Sequence, residues 1–92
     1  MIVENINENN IVSVTKDLIT EKHMLMKRLK SANTNLLNCT TKADRSRLLK
    51  EQNALYDKLS NISDDVIKII DIAAGYDDKA ILDQVREALY QK

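Results

Sequence analysis

The sequence predicts an all-α protein built on a long antiparallel helical hairpin, and three observations carry that expectation. Proline is absent and Gly75 is the one glycine among 92 residues, so the two main helix breakers are nearly missing. Leu48, Gln52, Leu55, Leu59, Ile62, Val66, Ile69 and Ala73 recur in alternating steps of four and three. That is the period of a helix laying one stripe against another helix. Before it, Ile11, Leu18, Leu25, Ala32 and Cys39 recur at seven-residue intervals, which marks a first arm of the same kind.

Taken in order, residues 1–10 are Asn-rich and read as a flexible tail, with Asn10 or Ser13 available to cap the first helix. Helix one is expected over about 11–37. Val12, Ile19 and Met26 flank its stripe on one side, and Leu29 and Leu36 on the other. The stripe is therefore wider than a two-helix seam requires, as in a bundle. Asn33, Thr34, Asn35 and Asn38 are poor helix formers and predict a frayed end. The turn falls at Asn38-Cys39-Thr40-Thr41, where Thr41 with Asp44 resembles a capping box.

Helix two is expected over about 42–74. Ser60-Asn61-Ile62-Ser63-Asp64-Asp65 reads as a stop followed by a new start, with Ser63 as N-cap. The ladder nevertheless keeps its phase across this stretch. That favours one helix, continuous or kinked near 60–64, over two. Gly75 is expected to end it as a left-handed cap. A short third helix over about 78–91, capped by Asp77 or Asp78, presents Ile81, Val85, Ala88 and Leu89 on one face. Folded back, it lies near the open end of the hairpin.

One small domain, 1–92, accounts for the whole sequence. A chain this short buries only about 60% of its unfolded surface. Its core is also thin, because Tyr56, Tyr76 and Tyr90 are the only aromatic residues. Thin core and wide stripe together predict an oligomeric helical bundle, a dimer or higher. The expected interface comprises Leu18, Leu25, Met26, Leu29, Leu48, Gln52, Leu55, Tyr56 and Leu59. Gln52 is the polar intruder, of the type that fixes register at some cost in stability.

Enzyme chemistry is not expected. His23 is the single histidine and sits mid-helix beside Lys22 and Met24, where a solvated side chain outranks a catalytic base. Asp64, Asp65, Asp71, Asp77 and Asp78 read as a solvated acidic surface, not a metal site. One glycine cannot build a phosphate loop. No cofactor and no metal are expected. No apolar run approaches the ~20 residues of a membrane span. The N-terminus has no signal-peptide pattern, and a lone Cys39 suits a reducing cytoplasm.

Charge gives the functional clue. The formal net charge is zero, but residues 16–50 carry nine basic and three acidic side chains, and residues 51–92 carry five basic and nine acidic. The bend is expected to bring Lys27, Arg28 and Lys30 alongside Lys42, Arg45, Arg47 and Lys50, making a basic end that meets an anionic partner. A protein partner is preferred. Nucleic acid is disfavoured by the neutral total and by the lack of an aromatic stacking platform. The Asn- and Ile-rich usage resembles that of small phage or mobile-element proteins. The expectation is thus a non-enzymatic inhibitor or adaptor that binds and blocks a host or defence protein in the host cytoplasm. Two alternatives stay open: an oligomer that sequesters a nucleotide in a basic pocket between subunits, and a small nucleic-acid-binding regulator.

Overall fold

A computed structural model of the chain describes residues 5–90. It contains three helices, α1 (Ile11–Asn38), α2 (Lys42–Ala74) and α3 (Lys79–Leu89), and no strand among the described residues. The two long arms form an antiparallel hairpin, and α3 folds back against both. The molecule is a rod of 56 × 24 × 15 Å.

The seam follows from the two periodicities. Ile11, Leu18, Leu25, Leu29 and Ala32 of α1 are buried in one cluster with Leu55, Ile62, Ile69 and Ala73 of α2. Leu59 and Val66 are half-buried against it. Every position of the α2 ladder is thus withdrawn from water, and the helix runs unbroken through Ser60–Asp65. The local stop signal loses because each residue of the ladder buries apolar area worth on the order of 1.5–3 kcal/mol for a large aliphatic side chain. A cap contributes only about 1 kcal/mol.

The extra width of the α1 stripe is used inside the chain. Val12 packs against the core, and Val12 and Lys16 border a cleft whose other wall is Gln84, Glu87 and Ala88 of α3. Val85 and Ala88 are buried, with Ile81, Leu82 and Leu89 half-buried. The third helix therefore supplies a second neighbour to the N-terminal part of the stripe, while Met26 further along it stays exposed.

Polar side chains settle the ends. Thr15, fully buried, donates its hydroxyl to the Ile11 carbonyl at 2.7 Å, which satisfies it within its own helix. Residues 5–10, expected as a loose tail, form a turn: the Asn7 N–H donates to Asn10 Oδ1 at 2.8 Å, and Asn10 Nδ2 donates to the Asn5 carbonyl at 3.0 Å. Asn10 is thereby engaged backwards and makes no side-chain cap to α1. Residues 1–4 of that tail lie outside the described residues. Thr41 Oγ1 accepts from the Asp44 N–H at 3.1 Å, one half of the expected capping box. Asp78 accepts from the Ala80 N–H at 3.0 Å and starts α3.

Gly75 departs from expectation. Its φ is −81°, an ordinary right-handed value, and no described residue has positive φ. The chain leaves α2 by tightening. The Gly75 N–H donates to the Ile72 carbonyl at 3.1 Å and the Tyr76 N–H to the Ala73 carbonyl at 3.2 Å, both bonds one residue shorter than in an α-helix. Lys79 Nζ then donates to the carbonyls of Ala74 at 2.9 Å and Tyr76 at 3.1 Å. A cation thus covers the negative end of the helix.

Gln52 has a partner within the chain. Its Nε2 donates to Asn33 Oδ1 at 2.7 Å, so the polar position of the ladder meets the half-buried Asn33 on the opposing arm. This clasp fixes the register of the hairpin.

Two outcomes are expected from these local arrangements. Gly75→Ala raises stability by about 0.4–1 kcal/mol in a denaturant titration, because the backbone suits alanine and only the unfolded chain loses freedom. A loss of more than about 1 kcal/mol would mean that a left-handed cap is needed after all. Replacing Gln52 or Asn33 singly by Leu costs about 1–3 kcal/mol by stranding the other amide, and the double replacement recovers most of it. Additive losses in the double-mutant cycle would show that the two side chains do not interact.

Candidate functional site

The bend between α1 and α2 ends the rod in positive charge. Lys42, Arg45, Arg47 and Lys50 are all exposed, as are Lys27, Arg28 and Lys30. The two groups are staggered along the rod: by the Asn33–Gln52 register Lys30 lies about 7 Å along the axis from Lys50, while Lys27 and Arg28 lie further from Arg45 and Arg47. With Asn33 level with Gln52, positions 27–30 of α1 lie level with about positions 55–58 of α2, given 1.5 Å per residue on each arm. Arg28 is then about 15 Å along the axis from Arg47. The arms are paired by the ladder, so a residue's level is set by its distance from the turn, and the stagger grows from about five residues between Lys30 and Lys50 to ten between Arg28 and Arg47.

Direction divides the charges as well. Arg45 and Arg47 are two positions apart on α2, so they lie on different flanks. Arg47 Nη2 also approaches Asp44 Oδ1 at 3.7 Å across exposed surface. The arrangement is a positive collar around the bend, with Lys27, Arg28 and Lys30 further down the shaft. It is not one phosphate-sized pocket within a single chain.

An apolar side chain is exposed at the same end of the rod. Leu37, on the last turn of α1, is 87% exposed. It is the most exposed of the large apolar residues among the described residues, and the periodicity of helix one gave no sign of it because Leu37 follows the in-phase Leu36. Cys39, two residues on, is half-buried and donates its thiol to the Leu36 carbonyl at 3.2 Å.

The residues expected to join copies of the chain are mostly occupied already. Leu18, Leu25, Leu29, Leu48 and Leu55 are buried, and Gln52 and Leu59 are half-buried. A second copy could reach them only by opening the hairpin. Met26 and Tyr56 remain about half exposed, at 49% each.

Two further side chains fall elsewhere than expected. His23 is half-buried on α1. Asp65, counted among surface acids in the sequence, is 7% exposed. It makes no hydrogen bond or ion pair among the described residues, and its oxygens keep some access to solvent. The signal for its burial was its place: it stands three residues after Ile62 and four before Ile69, on the edge of the ladder. No group of three or more His, Cys, Asp or Glu side chains among the described residues is placed to hold a metal ion. No helix among them is long and apolar enough to cross a membrane.

Comparison of the chain with protein-family models, curated proteins and solved structures finds no match.

Proposed function

We propose that this chain is a non-enzymatic protein-interaction module that binds an acidic protein surface through its bend. Its concrete form is an inhibitor or adaptor, of phage or mobile-element origin, that blocks a host or defence protein. What supports the reading is Leu37. A leucine 87% exposed to solvent at the same end of the rod as the exposed Lys42, Arg45 and Arg47 offers an apolar anchor beside basic charge. Desolvated anchors surrounded by charge are the usual build of a protein interface. Nucleic-acid binding draws on a continuous basic face and stacking rings, whereas the collar here is divided between flanks. The charge would steer encounter with an acidic partner and the leucine would set residence time.

The test is quantitative capture from a host-cell lysate by the immobilised full chain and by two variants, Leu37→Glu and the pair Arg45→Glu with Arg47→Glu. All three positions are exposed, so circular dichroism should show the helical fold kept. The wild-type chain is expected to retain one protein species that both variants retain at least tenfold less. Capture of no protein, or capture indifferent to both variants, would contradict the reading. So would a melting-temperature rise with nucleotides, or salt-steep binding of DNA or RNA, in the absence of any captured protein.

A further inference from the structure

Among the described residues the hairpin has a third helix beside its open end and none beside its bend. A position that follows a seam residue lies about 100° round its helix. Because the arms are antiparallel, such positions on α1 and on α2 fall on the same side of the pair. At the open end α3 takes that side of α1. Val12 and Lys16, which follow Ile11 and Thr15, border the cleft with Gln84, Glu87 and Ala88. Ile19, one heptad after Val12, is buried, and Met26, the next in that line, is 49% exposed. The third helix is 11 residues long, so it reaches only about 16 Å along the rod.

Beyond the end of α3 the same side stays apolar. Met26 follows Leu25, Leu37 follows Leu36, Leu49 follows Leu48 and Tyr56 follows Leu55, and all four are exposed. Asn33 follows Ala32, so its bond to Gln52 lies on this side too. That register sets Leu37 level with Leu49, and Met26 within about 5 Å of the level of Tyr56. The result is two apolar pairs, one member from each arm, with the amide clasp between them, over about 16 Å of the rod. Ile67 and Ile70 continue this side along α2. On the opposite side of the arms Met24 is the one large apolar side chain exposed among the described residues.

Charge selects the occupant. Residues 27–58 carry eight basic and three acidic side chains. None of the three acids follows a seam residue, whereas Lys30 follows Leu29 and stands in one column with Lys16, two heptads on. The open end shows how that column is met: Glu87 of α3 borders the same cleft as Lys16. A second copy of the chain, presenting the same lysine and the same positive half, is a poor match. We infer that the groove between the arms at the bend takes an amphipathic helix of the protein partner, apolar on one face and with carboxylates on its flank. It docks as α3 docks at the open end, and Leu37 marks its outer edge. The inference rests on the protein-binding reading above and names the element that the partner presents.

Two synthetic helical peptides of about 18 residues, five turns, test this by fluorescence anisotropy against the full chain. Both carry leucine and alanine on one face. One has glutamates on its flanks and the other has lysines. The glutamate peptide is expected to bind at micromolar concentration, and the lysine peptide at least tenfold more weakly. Leu49→Ser combined with Tyr56→Ser is expected to weaken the glutamate peptide at least tenfold, with the fold kept because both positions are exposed. Met24→Ser, on the opposite side, is expected to leave it unchanged. Lys30→Glu is expected to shift the preference toward the lysine peptide. No binding of either peptide at millimolar concentration, equal binding of both, or an equal effect of Met24→Ser would overturn the inference. So would self-association of the chain that Tyr56→Ser abolishes, since a second copy would then own the face. Lysate capture that depends on Leu37 while the glutamate peptide fails to bind would end this inference and leave the proposed function standing. A bound glutamate peptide with no captured protein would do the reverse.

Discussion

The structure depends on one constraint, the phase of the α2 ladder. From Leu48 to Ala73 a single stripe must stay against α1 over about 38 Å. Aliphatic side chains do nearly all of this work, since the chain has three aromatic residues and none lies on the ladder. Because the apolar set is thin, each layer matters, and a shift of phase at Ser60–Asp65 would rotate Val66, Ile69 and Ala73 out of the core. The helix therefore runs on through residues that favour a cap. Local preference yields to packing where the two differ by more than a cap is worth.

Four polar side chains mark how the seam is disciplined. Gln52 and Asn33 satisfy each other across it, which sets the register of one arm on the other. Thr15 satisfies itself on the Ile11 carbonyl and so sits in the core at little cost. Asp65 is different, since it is withdrawn from water with no protein partner among the described residues. It occupies the rim where the seam meets the flank on which α2 loses further surface. Apolar packing on either side of it, at Ile62 and Ile69, holds the residue in the seam while its carboxylate oxygens keep access to solvent.

Much of this fold was legible in the sequence because periodicity survives folding unchanged. The arms, the turn at Thr41, a cap at Asp77 or Asp78 and the position of α3 all follow from spacing and from the scarcity of breakers. What was not legible depended on three-dimensional register. The level of Lys27, Arg28 and Lys30 against α2 is set by how the arms slide, and charges carry no phase information about that. The conformation of Gly75 depended on Lys79 reaching back to the carbonyls of Ala74 and Tyr76, a solution that makes the left-handed cap unnecessary. The width of the α1 stripe was readable, but not that α3 meets it at Val12 and Lys16. Of the candidate site, the basic residues were visible and Leu37 was not, since an apolar residue beside an in-phase one looks like core until the helix is seen end on.

The fold rests on the seam holding α2 as one helix through Ser60–Asp65. Native-state hydrogen exchange across α2 tests it most directly. The amides of Ile62 and Val66 are expected to be protected to the same degree as that of Leu55, since all belong to one cooperative unit. Fast exchange confined to residues 61–66, with slow exchange on both sides, would show two helices meeting at a break and would contradict it.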